Sequence, residues 1–220
     1  MARVVLFGTG SFAEVARFLL DRDSEHEVVA FCVHRDHLPE GGEHAGLPVV
    51  ALEEVAERYP PDGHAMHVAV AYARVNRLRA EICEAARALG YELISYVSSR
   101  ATHWGDTVIG DNCFVFEDNT IQPFVTIGDG TVLWSGNHIG HHSTIGSYCF
   151  LTSHVVVSGH VSVGDYSFIG VNATLRDGIT IGRSNVIGAG ALIMRSTDDE
   201  DVFISERSKP SGRRSSDLRM

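Results

Sequence analysis

From Ile109 to Ile193 an aliphatic residue stands at every sixth position, fifteen times in succession and without exception. Glycine follows it at positions 110, 128, 140, 146, 164, 170, 182 and 188. The residue four places after it is often small or thin, as at Cys113, Thr131, Ser143, Cys149, Ser167 and Ala173. No helical periodicity reproduces this spacing. A six-residue repeat of this kind winds into a parallel β-helix, three hexads to a triangular coil. Each coil buries its faces only by stacking on its neighbours, so the array is close to one-dimensional. Residues eighteen apart then lie one above the other at about 4.8 Å, the spacing of paired strands.

That register predicts where the histidines of "GNHIGHHSTIG" point. His141 stands between Pro123 and Gly159 in its vertical line, His142 between Phe124 and His160, and His154 below Asn172. None occupies the inward aliphatic position, so all are expected outside or near corners.

The first part of the chain uses another alphabet. Strand-like "RVVLF" leads through "GTG" into amphipathic "SFAEVARFLLDR"; "EVVAFCV" is followed by a Gly- and His-rich turn region and a helical "LEEVAERY". "MHVAVAY" then precedes the helical "VNRLRAEICEAARALG", with Gly90 as its C-terminal stop, and "ELISYV" reads as a fourth strand. Strands alternating with helices predict a small parallel sheet with crossover helices. The expected divisions are residues 1–97, 98–204 and a polar tail, 205–220.

Charge and composition narrow the function. A net charge of -10 argues against a nucleic-acid binder. The apolar run Val4 to Phe7 is too short for a signal peptide, and no stretch approaches a membrane span. Four scattered cysteines without a CxxC pair suit a cytoplasmic protein with reduced thiols.

The "VVLFGTGSFAEVA" opening, the hexapeptide array and the mid-array "IGHHSTIG" together resemble a bacterial acyltransferase family over residues 3 to 204. That family comprises sialic-acid O-acetyltransferases and nucleotide-4-amino-sugar N-acetyltransferases. The resemblance implies a Rossmann-like α/β N-terminal domain, a left-handed parallel β-helix and a homotrimer. It implies acetyl-CoA as co-substrate and a nucleotide-activated sugar as acceptor, with His141 at the position of the catalytic base. Three departures stand out. His142 replaces the acidic neighbour of the base, and Phe150 stands where some members place a CoA-contacting histidine. The ending "VFISERSKPSGRRSSDLRM" replaces the usual Gly-x-Pro-Ala-Lys.

A neutral imidazole near pH 7 is suited to take the proton of an attacking amine or hydroxyl. His141 is therefore expected as the base, with His142 beside it and Gly159 leaving room for an acyl donor. Gly8, Gly10, Ser11 and Phe12 of "GTGSFA" are expected to contact the substrate, because glycines before a helix N-terminus let a phosphate approach. His34, Asp36 and Ala71 are further candidates for substrate contact. Phe150, Gly159, Val171 and Ala189 are expected along the acyl-donor groove, and Arg176, Arg183 and Arg195 are candidates for its phosphates.

The expected function is acetyl-CoA-dependent N-acetylation of a nucleotide-linked amino sugar, with no metal required. Transfer to a sugar hydroxyl is the nearest alternative; a non-catalytic sugar-nucleotide binder is another. His138, His141, His142, His154 and His160 also admit a zinc site like that of β-helix carbonic anhydrases, although the α/β unit would then be unexplained.

Overall fold

The computed structural model describes residues 2–206 together with 208, 210, 214 and 216, so most of the expected polar tail lies outside the described residues. The N-terminal unit is built from β1 (Arg3–Phe7), α1 (Ser11–Asp23), β2 (Glu27–Val33), β3 (Glu43–His44), β4 (Leu47–Ala51), α2 (Val55–Arg58), β5 (Ala65–Val68) and α3 (Arg77–Ala88). Its sheet has the order β3-β4-β2-β1-β5, parallel except for the β3–β4 hairpin. Two-residue alternation along β1 serves both faces. Val4 and Leu6 join a cluster with Phe12, Ala13, Ala16 and Leu20 of α1, while Val5 and Phe7 join Ala80, Ile82, Cys83 and Ala86 of α3.

Two expectations for this unit are corrected. "LPVVA", inside the expected turn region, is strand β4, and the helix of "LEEVAERY" shrinks to one turn before Pro60. "ELISYV" is not a fourth strand of this sheet. Leu93 makes an isolated bridge to Met66, and Tyr96–Val97 pairs with Phe114–Val115 as the first rung of the next unit. The chain leaves one sheet and enters another within a single apolar run, and alternation alone does not show the change of partner.

From Tyr96 onward, two-residue strands stack in parallel into three sheets, giving the prism that the period predicts; with its hexapeptide repeats it fits a left-handed β-helix. The first face runs from Val108–Ile109 to Thr180–Ile181 and the second from Tyr96–Val97 to Val202–Phe203. The third runs from Thr120–Ile121 to Leu192–Ile193. The sixth-position aliphatics fill one continuous core, with Ile109 packed at its end. Partners are eighteen apart, as at Ile127↔Ile145 and Ile139↔Val157.

The small corner residues have a second use. Ser143 and Thr131 are fully buried, yet each hydroxyl donates to a carbonyl and accepts the N–H eighteen residues on, from Val161 and Cys149. Buried polar groups are thus paired at each turn.

The α/β unit lies against the second face and one neighbouring edge. Phe12 of α1 packs on Phe114, Phe116 and Trp134, and Tyr72 packs on Phe150 and Phe168. Arg79 of α3 is buried, and its guanidinium donates to the carbonyls of Gly130, Val70, Ala71, Tyr148 and Cys149 and to Asn76 Oδ1. None of these acceptors is a carboxylate. Burial lowers its pKa to about 10, which leaves it charged near neutrality. This cation joins the segment after β5 to the prism through backbone dipoles alone.

Candidate active site

The site is built on the edge between the third and first faces, where residues 122–125, 140–143, 158–161 and 176–179 turn the chain. At Gly140 a side chain is excluded, because a Cβ would meet Gly159 N at 2.5 Å. His142 takes the left-handed conformation, φ 56°, as do Phe124 and His160 at the same turn position. The left-handed residue turns the chain, and Ser143 after it points inward. His141 and His142 are thereby left outside, both exposed.

Around His141 the groups are specific. Its N–H donates to Gln122 Oε1 at 2.9 Å, and its Nδ1 lies 3.1 Å from His142 Nδ1. His142 sits in a column of rings, 4.6 Å from Phe124 and 4.8 Å from His160, the latter pair nearly parallel at 14°. The ring of His141 stands edge-on to both histidines. Above it is Gly159: a methyl built there would lie 2.8 Å from His141 Cε1, 2.9 Å from Nε2 and 3.1 Å from Asp177 Oδ1. Only glycine keeps the Nε2 side of the imidazole open. The Gly159 carbonyl accepts from Gly178, while its own N–H has no acceptor among the described residues.

The C-terminal half matches the family model described as bacterial transferase hexapeptide (six repeats), over residues 106–140, 126–159 and 160–195. Among solved structures, a His→Asn variant of perosamine N-acetyltransferase from Caulobacter crescentus, in complex with CoA and GDP-perosamine, is 28% identical. The likeness covers 92% of this chain and 93% of that one, with a TM-score of 0.81. PerB from the same organism, also with CoA and GDP-perosamine, gives 27% identity, 92% and 93% coverage and a TM-score of 0.78. The acetyltransferase domain of PglB from Neisseria gonorrhoeae shares the fold, at 24% identity over 89% and 93%, TM-score 0.76. No curated protein sequence matches the chain. Residues 106–195 thus carry the hexapeptide repeats of bacterial transferases, in a chain similar over nine-tenths of its length to perosamine N-acetyltransferase. The chain is an enzyme of acyl transfer.

The other expected site residues of this acyltransferase fall into groups. Gly8, at φ 117°, needs glycine, since a Cβ would also meet the Ala69 carbonyl at 3.0 Å; Gly10 faces open space and Ser11 opens α1. The first-turn N–H groups there lack intrahelical partners. Phe12 is corrected. Its ring is 8% exposed inside the aromatic seam, so only its backbone is free for a ligand. His34 is exposed and paired with Glu53 at 3.1 Å; Asp36 is exposed in the short turn Arg35–His37. Ala71 is half-buried and its carbonyl is taken by Arg79.

Phe150, expected beside the acyl donor, is also corrected. It is 3% exposed and packs under Tyr72 with Phe168, on the face that the α/β unit covers. Val171 and Ala189 stack one above the other, exposed, on the edge between the second and third faces. Arg176 and Arg195 belong to the edge of His141, whereas Arg183 lies on another edge, 3.3 Å from Asp165. Of the five histidines considered for a metal, His141, His142 and His160 gather; His138 sits in a strand and His154 over Gly136 on a different edge.

Sequence reasoning passed over Gln122 and Asp177. The signal was present for Asp177, which stands thirty-six residues, two coils, above His141 in the same vertical line. No resemblance pointed there.

Proposed function

We propose that the protein transfers the acetyl group of acetyl-CoA to the amine of a nucleotide-linked amino-deoxy sugar, with His141 as general base. The observation that carries the reading is the pairing of an open Nε2 on His141 with the unpartnered Gly159 N–H beside it. Support comes from perosamine N-acetyltransferase, similar over nine-tenths of both chains and crystallised with CoA and GDP-perosamine.

In this reading the 3.1 Å contact between the two Nδ1 atoms is a hydrogen bond donated by His141, which fixes its tautomer and leaves the Nε2 lone pair outward. His142 thus takes the orienting place for which no carboxylate is available. The neutral sugar amine attacks the thioester carbonyl, and Nε2 takes its proton. The Gly159 N–H donates to the oxygen that gains negative charge. Collapse forms the amide and breaks the C–S bond, and the imidazolium returns the proton to the CoA thiolate. All four cysteines are buried with their thiol pKa values pushed up to about 12, so none serves as an acyl carrier.

The loop of Gly8, Gly10 and Ser11 is the proposed contact for the nucleotide-linked sugar, in a Rossmann-like unit spanning residues 1–97. The β-helix of 98–204 and the tail of 205–220 complete the division, with the first rung already at Tyr96–Val97. In a triangular prism the histidine edge is opposite the second face, which carries the chain's own α/β unit. One chain therefore does not bring its own loop to its own base. A homotrimer, in which the loop of one subunit faces the histidine edge of the next, accounts for both. Acetyl-CoA would lie along that seam, near Gly159, Val171 and Ala189.

The test is CoA release with GDP-, UDP- and dTDP-linked 4-amino sugars against their 4-hydroxy counterparts. Acetylation of an amino sugar, with the hydroxyl counterpart inert, is expected. Preference for the hydroxyl would make the protein an O-acetyltransferase, and tight binding without turnover would make it a binding module.

A further inference from the structure

We propose that His141, His142 and His160 form a binding site for a divalent transition metal of the imidazole-preferring class, Zn²⁺ foremost, and that occupying it switches the enzyme off. The regulatory half of this inference rests on His141 being the base. One ring nitrogen from each residue lies within 4.8 Å of the others, the only such group of three among the described residues. The two Nδ1 atoms of His141 and His142 are 3.1 Å apart. A tetrahedral zinc with bonds of about 2.1 Å requires ligand nitrogens roughly 3.4 Å apart.

The backbone that presents the three rings is fixed, since His160 N–H donates to the His141 carbonyl at 2.9 Å. The rings themselves are exposed, so the small rotations that bring the His160 nitrogen inward disturb only its contacts with the other two histidines. The group contains no carboxylate, which disfavours Mg²⁺ and Ca²⁺ and suits Zn²⁺, Ni²⁺ and Cu²⁺. No thiolate competes, because every cysteine is buried and held as the thiol.

The consequence for catalysis follows from the two ring nitrogens being exclusive. In the active tautomer His141 carries its proton on Nδ1 and offers the Nε2 lone pair toward Gly159. A metal on Nδ1 displaces that proton, and the neutral ring then carries one on Nε2. Nε2 becomes a donor and no longer accepts a proton from the amine. Zinc would inhibit here rather than activate water.

The test uses untagged, chelator-treated, full-length protein and its His160→Asn variant; asparagine suits the left-handed φ of 57° at this position. Calorimetric titration with Zn²⁺, and the visible absorption of tetrahedral Co²⁺, read the site without reference to activity. One metal per chain is expected, with affinity at least about tenfold weaker in the variant. Micromolar zinc is expected to stop acetyl transfer by the wild type, reversibly with EDTA, while the variant turns over normally and resists it. Absence of binding, or equal binding in the variant, overturns the site. Binding through His160 that leaves transfer unaffected keeps the site and removes His141 as the base.

Discussion

Two edges of the prism carry the same backbone and the same device, and only one is open. On the histidine edge Phe124, His142 and His160 adopt the left-handed conformation and stack their rings. On the edge between the first and second faces Tyr148 and Tyr166 do the same, at 5.6 Å and 11°. There α3 closes over the column. Arg77 lies 4.8 Å from the Tyr166 ring, Arg87 donates to Tyr148 Oη, Asn76 to the Tyr166 carbonyl and Arg79 to that of Tyr148. Repetition supplies a column of rings at any edge. What becomes of it depends on whether a second unit covers it: stability where it does, chemistry where it does not.

The sharpest way to break this comparison is a pair of substitutions, one on each edge. His141→Asn on the open edge is expected to lower kcat by roughly a thousandfold, as loss of a general base does, with the thermal midpoint unchanged. Arg79→Met on the covered edge should do the reverse. It leaves five backbone carbonyls short of a donor, and the chain is expected to lose on the order of 4 kcal/mol by denaturant titration. If His141→Asn unfolds the protein, or Arg79→Met leaves stability intact, the division of labour between the edges is wrong.

Acid sharpens the same contrast at the junction of the two units. His67, on β5, is 1% exposed, donates Nδ1–H to the Ile94 carbonyl and packs on Phe114 of the prism. Burial lowers its pKa from about 6.5 to about 4. Between these values the unfolded chain binds a proton that the folded chain excludes. Stability is therefore complete above pH 6.5, falls as pH drops toward 4 and levels below it. The loss is on the order of 3 kcal/mol. Urea midpoints at pH 7 and pH 4.5 measure it, and His67→Gln should flatten the difference. Asp23 titrates in a lower window. Hydrogen bonds from Ser99 and Tyr96 hold its pKa at about 2, so its contribution is present above about 3.8 and is lost as pH falls through 2.

How much of this was legible in the chain follows the same line between repetition and covering. The inward aliphatics, the eighteen-residue register and the outward histidines were readable because each position is set by its own neighbours one coil away. His142 between Phe124 and His160 was expected and is what the ring distances show. Phe12 and Phe150 were misread because their surroundings come from the other unit: nothing local marks which face α1 and Tyr72 will cover. β4 was hidden because it follows directly on a Gly- and His-rich stretch and carries Pro48 at its second position, both of which read as turn. Asp177 could have been found by counting two coils up from His141, but a resemblance directs attention to matched motifs and not to vertical neighbours.

The smallest effect is the most discriminating on the open edge itself. Gly159→Ala adds one methyl where His141 Cε1 and Nε2 stand at 2.8 and 2.9 Å. Gly159 is not in the left-handed region, so alanine is free of backbone strain and the ring must swing aside. Because the ring is exposed it can do so at little cost, and stability is expected to change by less than about 1 kcal/mol. The swing separates Nδ1 from His142 and moves Nε2 away from the Gly159 N–H, so kcat should fall by about tenfold, with KM for the nucleotide sugar unchanged. A rise in KM at constant kcat would mean that Gly159 only makes room for a substrate. The proton-accepting geometry would then have to be sought elsewhere on the edge, with Asp177, on the far side of the same gap, the next group to replace.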